Sequence, residues 1–209
     1  STTNTEFEAD AFYSKNGLLK LGYQLNEKVS VDTFLNYDVF DYDFDGGAFS
    51  DSEVNTGNQE QLRVGVRPSY TYTKGKLYLL ASLNSVKRGL NQFNSFSNTL
   101  DNYQFEGRSL FLDLVNKYEF SKQFQLITGV NYQEHSNQSV TPFGTIDKEN
   151  ANFNTIDPYA SLVYISKYGL SANIGGRLNI HNVYGNQFVY DGILAYSVVK
   201  DDNAAVKLL

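Results

Sequence analysis

An all-β fold, an antiparallel up-and-down transmembrane β-barrel of about ten strands, is what the sequence predicts from three observations. Apolar and polar side chains alternate with a period of two, short and long links alternate along the chain, and Tyr and Phe gather at strand ends. A strand turns successive side chains to opposite faces, whereas a helix repeats near 3.6 residues. No comparable helical stripe runs through the 209 residues.

The strands, each expected to be about ten residues long, start near Phe12, Val29, Gln61, Leu77, Gln104, Gln123, Pro158, Leu170, Gln187 and Ala205. The first carries a weaker alternation over Leu19 to Leu25. In the second, Val29, Val31, Thr33, Leu35 and Tyr37 oppose Ser30, Asp32, Phe34, Asn36 and Asp38. In the third, Leu62, Val64, Val66, Pro68, Tyr70 and Tyr72 oppose Arg63, Gly65, Arg67, Ser69 and Thr71. Leu110 to Leu114, Phe124 to Tyr132 and Tyr190 to Val198 are weaker copies. From Leu170, Leu170, Ala172, Ile174, Gly176, Leu178 and Ile180 oppose Ser171, Asn173, Gly175, Arg177, Asn179 and His181.

Short turn-like links are expected at 25–28, 73–76, 121–123, 167–169 and 200–203, where Lys, Asn, Asp, Ser and Gly cluster. Longer connections are expected at Asp41 to Gln59, Arg88 to Asn102, Gln133 to Asp157 and, smaller, Asn182 to Gln187. A meander has one end for turns and one for loops; a sandwich with Greek-key crossovers has no reason to sort them so.

Alternation does not say which face is wet, since a soluble sandwich and a membrane barrel both show it. The polar set here holds large charged and amide groups beside glycines, such as Arg63, Gly65 and Arg67, which suits a crowded polar lumen. Tyr37, Phe40, Tyr70, Tyr72, Tyr118, Phe120, Tyr164 and Tyr168 lie at strand ends, where aromatic belts meet the two interfaces. A plain preference of aromatics for strands leaves the sorted links unexplained. A mean hydropathy of −0.39 is compatible with a barrel, because half of each strand is polar.

Composition excludes several classes. The apolar fraction of 41% against 19% charged residues is too high for a disordered chain. Without cysteine there is no disulfide, thiolate site or Cys nucleophile. The net charge of −6 argues against nucleic acid as a partner. No apolar run reaches the roughly 18 residues of a spanning helix, and the polar start at Ser1 has no signal-peptide pattern, as expected of a mature or excised piece.

The run from Gly175 to Phe188, with Arg177, Asn179, His181, Tyr184 and Gly185, resembles the barrel of TonB-dependent outer-membrane receptors, closest to their cobalamin branch. Asp10 to Lys15, leading into a strand, and the acidic aromatic loop Asp41 to Asp45 carry the same resemblance. It implies that residues 1–209 are a mid-barrel part of a 22-stranded outer-membrane wall, without the plug domain and with Ala205 to Leu209 opening a further strand. A complete ten-stranded barrel is the alternative. The function implied is active uptake of a bulky nutrient, cobalamin first and a ferric siderophore second, with outer-membrane lipid and the TonB complex as partners. A porin-like barrel without energy coupling and a soluble β-sandwich binding module are the competing classes.

No catalytic set stands out. His135, expected in a polar loop, lacks a nucleophile elbow, and His181 is expected to hydrogen-bond at a strand end. Gly46-Gly47 and Gly175-Gly176 lack the spacing and the helix of a nucleotide loop. Asp41, Asp43 and Asp45 stand at i, i+2 and i+4 before glycines, like the opening of a calcium loop, but without the terminal Glu and flanking helices of an EF-hand. The resemblance implies a calcium site of Glu8, Asp10, Asp43, Asp45 and Asp51. Tyr42, Phe44, Phe49, Phe93 and Phe96, with Phe143, are the candidate contacts for a bulky substrate.

Overall fold

The computed structural model describes residues 9–46, 52–201 and 204–208. They form one antiparallel sheet of β1 (Phe12–Gln24), β2 (Val29–Asp43), β3 (Thr56–Tyr72), β4 (Gly75–Asn94), β5 (Thr99–Glu119), β6 (Phe124–Thr141), β7 (Gly144–Ile146), β8 (Asn152–Ile165), β9 (Leu170–His181), β10 (Gly185–Asp201) and β11 (Ala204–Leu208). Each strand pairs with its sequence neighbours, except that β7 folds back on β6 alone and β8 takes the next place. This is the meander of an up-and-down barrel wall, left open because no pairing joins β1 to β11 among the described residues.

The strands are longer than expected, up to 21 residues in β5. The extra length lies at the end where long loops were anticipated. Arg88 to Asn102 is almost wholly ladder: Asn94 pairs with Thr99, leaving 95–98 as the turn. Gln133 to Asp157 contains the end of β6, the β7 hairpin and the start of β8, so His135 is a strand residue paired with Phe153, not a loop residue. Asn, Gln, Thr and Ser suit a solvated ladder as well as a loop, so hydropathy does not mark where pairing stops. Between β2 and β3 a true loop remains, of which 47–51 lie outside the described residues.

Register carries the alternation across the sheet. One row of directly opposed partners reads Leu21, Thr33, Val66, Ala81, Leu112, Tyr132, Ile156 and Ile180, from β1 to β9. The adjacent row, on the other face, reads Lys20, Phe34, Gly65, Ser82, Phe111, Gln133, Thr155 and His181. Near the short-turn end the apolar face carries linked rings: Tyr70 with Tyr72 (6.3 Å), Tyr72 with Tyr118 (6.4 Å) and Tyr118 with Phe120 (4.9 Å).

No second layer covers the apolar face. Among the described residues, Val115 and Ala195 are the buried apolar side chains, while Leu114, Val130, Ile156 and Ile174 stand open. A β-sandwich needs an opposing sheet about 10 Å away, and none is present among the described residues. The paired backbone and exposed apolar band are what a membrane wall requires.

Two prolines interrupt this ladder locally. Pro68 pairs with Val31 of β2, but the register to β4 skips from Val66 to Ser69. Pro158 pairs with Val130 of β6, and the register to β9 skips from Ile156 to Tyr159. Proline lacks the N–H that a central strand donates, so each gap falls on one side of its strand.

Leu114→Arg, on the apolar face, is expected to destabilise the protein in lipid bilayers by about 2–4 kcal/mol. Ser82→Lys, on the polar face, should change stability by about 0.5 kcal/mol; urea unfolding followed by gel mobility measures both.

Candidate functional site

The polar face is wired by side chains reaching between strands. Arg67 of β3 holds Asp32 of β2 through Nη2 at 2.7 Å and Nε at 3.2 Å, and Arg63 pairs with Asp38 at 3.2 Å and donates to Asn36. Farther along, Tyr159 of β8 donates to Asp113 of β5 at 3.1 Å. Tyr159 crosses β6 to do so because its partner there is Gly129, whose missing side chain leaves room for the phenol ring. Phe34 lies over Gly65 in the same manner.

Asp157 is the most enclosed charge among the described residues, 2% exposed. Its Oδ1 accepts from Asn179 Nδ2 at 2.9 Å, and Arg177 Nη1 stands 3.7 Å from Oδ2. The Arg177 guanidinium also lies 5.3 Å from the Tyr159 ring centre. A buried carboxylate needs both kinds of partner, since an unpaired charge away from water is costly.

Toward the end where strands extend, both histidines enter one stack. His135 of β6 lies 4.8 Å from Phe153 of β8, Phe153 lies 5.2 Å from His181 of β9, and His181 lies 4.7 Å from Tyr184 in the following turn. Ser109 meets His135 Nδ1 at 2.9 Å. His181 Nδ1 accepts from the N–H groups of Val183 (3.0 Å) and Tyr184 (3.3 Å), which places its proton on Nε2. This fixes a ladder of four rings on the polar face, with Phe153 partly open and Tyr184 largely exposed.

The expected substrate contacts divide. Tyr42 and Phe44 come together, ring centres 6.1 Å apart, and Arg88 Nη2 donates to the Tyr42 hydroxyl at 3.1 Å. Phe93 stands on the opposite face from Tyr42, by register, and Phe96 is fully exposed in the 95–98 turn. Phe143 is exposed at the β6–β7 turn, and Phe49 lies outside the described residues. Asn55, which the sequence did not single out, joins two of these segments: its carbonyl accepts from Phe44 N–H at 3.2 Å and its Oδ1 from Phe93 N–H at 2.7 Å.

Of the expected calcium ligands, Glu8 and Asp51 lie outside the described residues. A backbone bond from Asp43 N–H to the Ala11 carbonyl (2.9 Å) sets Asp43 opposite Ala11 before the start of β1, and Asp45 is exposed in the loop beyond. Among the described residues no three acidic or histidine side chains converge to hold a metal. Above the apolar band, Lys148 donates to Glu106 at 2.8 Å, and this hydrogen bond holds the Glu106 carboxyl below its ordinary range.

No protein-family model and no curated protein sequence matches the chain. Its fold, an antiparallel up-and-down barrel wall, is shared with part of several solved structures. The copper transporter OprC superposes with a TM-score of 0.68 at 13% identity, over 91% of this chain and 35% of that one. BauA, the ferric preacinetobactin receptor of Acinetobacter baumannii, gives 0.67 at 11%, over 95% and 39%. The RagAB peptide importer gives 0.68 at 11%, over 90% and 30%. The chain thus spans about a third of the length of these structures.

Arg177→Met leaves Asp157 with Asn179 alone and is expected to cost about 1–3 kcal/mol. Asp157→Asn in the same background should recover part of the loss in a double-mutant unfolding cycle.

Proposed function

We propose that this chain is part of the wall of a TonB-dependent outer-membrane receptor that captures a bulky nutrient at its long-strand end and passes it inward along the polar face. The observation that supports this best is a single-layer sheet with an uncovered apolar face and a ladder of His135, Phe153, His181 and Tyr184 fixed on the polar one. In such barrels short turns face the periplasm and longer connections face outward. The ladder then lies near the outer mouth, with Tyr42 and Phe44 toward the same end.

Stacked rings offer large rigid faces at little entropic cost, so the nutrient carries a flat conjugated part. Cobalamin, with its macrocycle, is the preferred candidate. A ferric siderophore with aromatic chelating rings is the second, favoured by the similarity to a ferric preacinetobactin receptor. Outer-membrane lipid is the partner of the apolar face and the TonB complex the source of energy. Calcium at Glu8, Asp10, Asp43, Asp45 and Asp51 belongs to this proposal. No step of capture is routed through it.

Calorimetric titration of the purified protein with cobalamin and with ferric siderophores, with and without calcium, tests the proposal. One of the two ligands should bind, and Phe153→Ala should weaken it at least tenfold without loss of the folded gel band. Solute entry that proceeds without TonB and without saturable binding would instead establish a porin.

A further inference from the structure

At the short-turn end of the polar face, away from the ring ladder, two lysines meet without a counter-charge. Lys76 of β4 is directly opposite Lys117 of β5, and both are half-buried. Directly opposed residues have Cβ atoms about 4.5–5.5 Å apart, and like charges placed there repel. Among the described residues no carboxylate lies within ion-pair distance of either ammonium.

A third cation and an unsatisfied hydroxyl share the place. Arg67, Ser69, Lys76, Tyr78 and Lys117 line one cavity of about 170 Å³. Arg67 already pairs with Asp32 at 2.7 Å, and Lys117 Nζ sits 5.9 Å from the centre of the Tyr78 ring. Ser69 is 4% exposed, and its Oγ has no hydrogen-bond partner. Buried hydroxyls are nearly always paired, so this one marks a missing acceptor.

We propose that Lys76, Lys117, Arg67 and Ser69 form a binding site for a small, freely diffusing oxyanion of the phosphate class. Inorganic phosphate carries a charge of roughly −1 to −2 near neutral pH and, like a phosphorylated side chain, several strong acceptor oxygens. One such ion offsets the opposed lysines and accepts a hydrogen bond from the Ser69 hydroxyl. The chain as a whole is acidic, with a net charge of −6, so recognition rests on these local donors and not on a long-range positive field. The site follows from the register of β3, β4 and β5 and does not depend on which nutrient the outer mouth takes.

The test is titration of the protein, purified in detergent, with inorganic phosphate at ionic strength held constant by sodium chloride, read by thermal midpoint and by ³¹P line width. The protein should show saturable stabilisation and line broadening. The double variant K76Q/K117Q should bind phosphate at least tenfold more weakly, while its midpoint without phosphate stays equal to or above that of the unaltered protein, because the repulsion is gone. K74Q/K122Q, with the same change of charge in exposed turns, should keep the affinity, and Ser69→Ala should reduce it by a few-fold. Absence of saturable binding, or equal binding by K76Q/K117Q and the unaltered protein, would overturn the proposal.

Discussion

The interaction on which the rest of the structure depends is the lateral backbone hydrogen bond between neighbouring strands. With one layer and almost no apolar core among the described residues, this ladder carries most of the order of the strands. Each N–H and C=O must find its partner sideways, because a lipid environment supplies none. The register is therefore unbroken over long spans, twenty directly opposed pairs between β4 and β5 alone. Two of the deviations fall at Pro68 and Pro158, which lack the N–H, and a third is a register shift between Ser197 and Val199 in β10.

Fixing the register fixes the chemistry. A slip of one residue would turn every side chain to the other face, carrying Arg63, Arg67 and Asp157 into the apolar band. The polar face in turn supports the register through bonds that span neighbouring strands, such as Arg67 to Asp32, and through Tyr159 reaching over Gly129 to Asp113. Glycine at 65 and 129 has a steric role here: an aromatic ring from the next strand occupies the space a side chain would fill. Aromatic cover of a strand glycine pins local pairing.

Much of this wall was legible in the sequence, because period-two alternation depends only on neighbours along the chain. The starts at Phe12, Val29 and Leu170 were placed to the residue, and the ring belt at Tyr70, Tyr72, Tyr118 and Phe120 was visible as strand-end aromatics. The upper strand ends were not. Residues such as Asn91, Gln92, Asn102 and Gln138 read as loop by polarity, yet they continue the ladder where water replaces lipid on the outer face. His135 was misplaced for that reason.

The ring ladder and the lysine pair were hidden for a different reason. His135 and His181 are 46 positions apart, and Lys76 and Lys117 are 41 apart; only the register of β6, β8 and β9 in the first case, and of β4 and β5 in the second, shows them sharing a neighbourhood. Sequence alone supplies the faces of a strand but not the heights at which neighbours align. The acidic loop shows the converse, since a regular spacing at Asp41, Asp43 and Asp45 places no three carboxylates together among the described residues.

The central claim is that one face of this sheet meets lipid and the other water. Because the chain contains no cysteine, single Cys substitutions from Ser109 to Leu114 can each carry a spin label in the bilayer-embedded protein. Accessibility to oxygen should peak at 110, 112 and 114, and accessibility to a water-soluble nickel chelate at 109, 111 and 113. Uniform access of the chelate along all six positions would contradict the account.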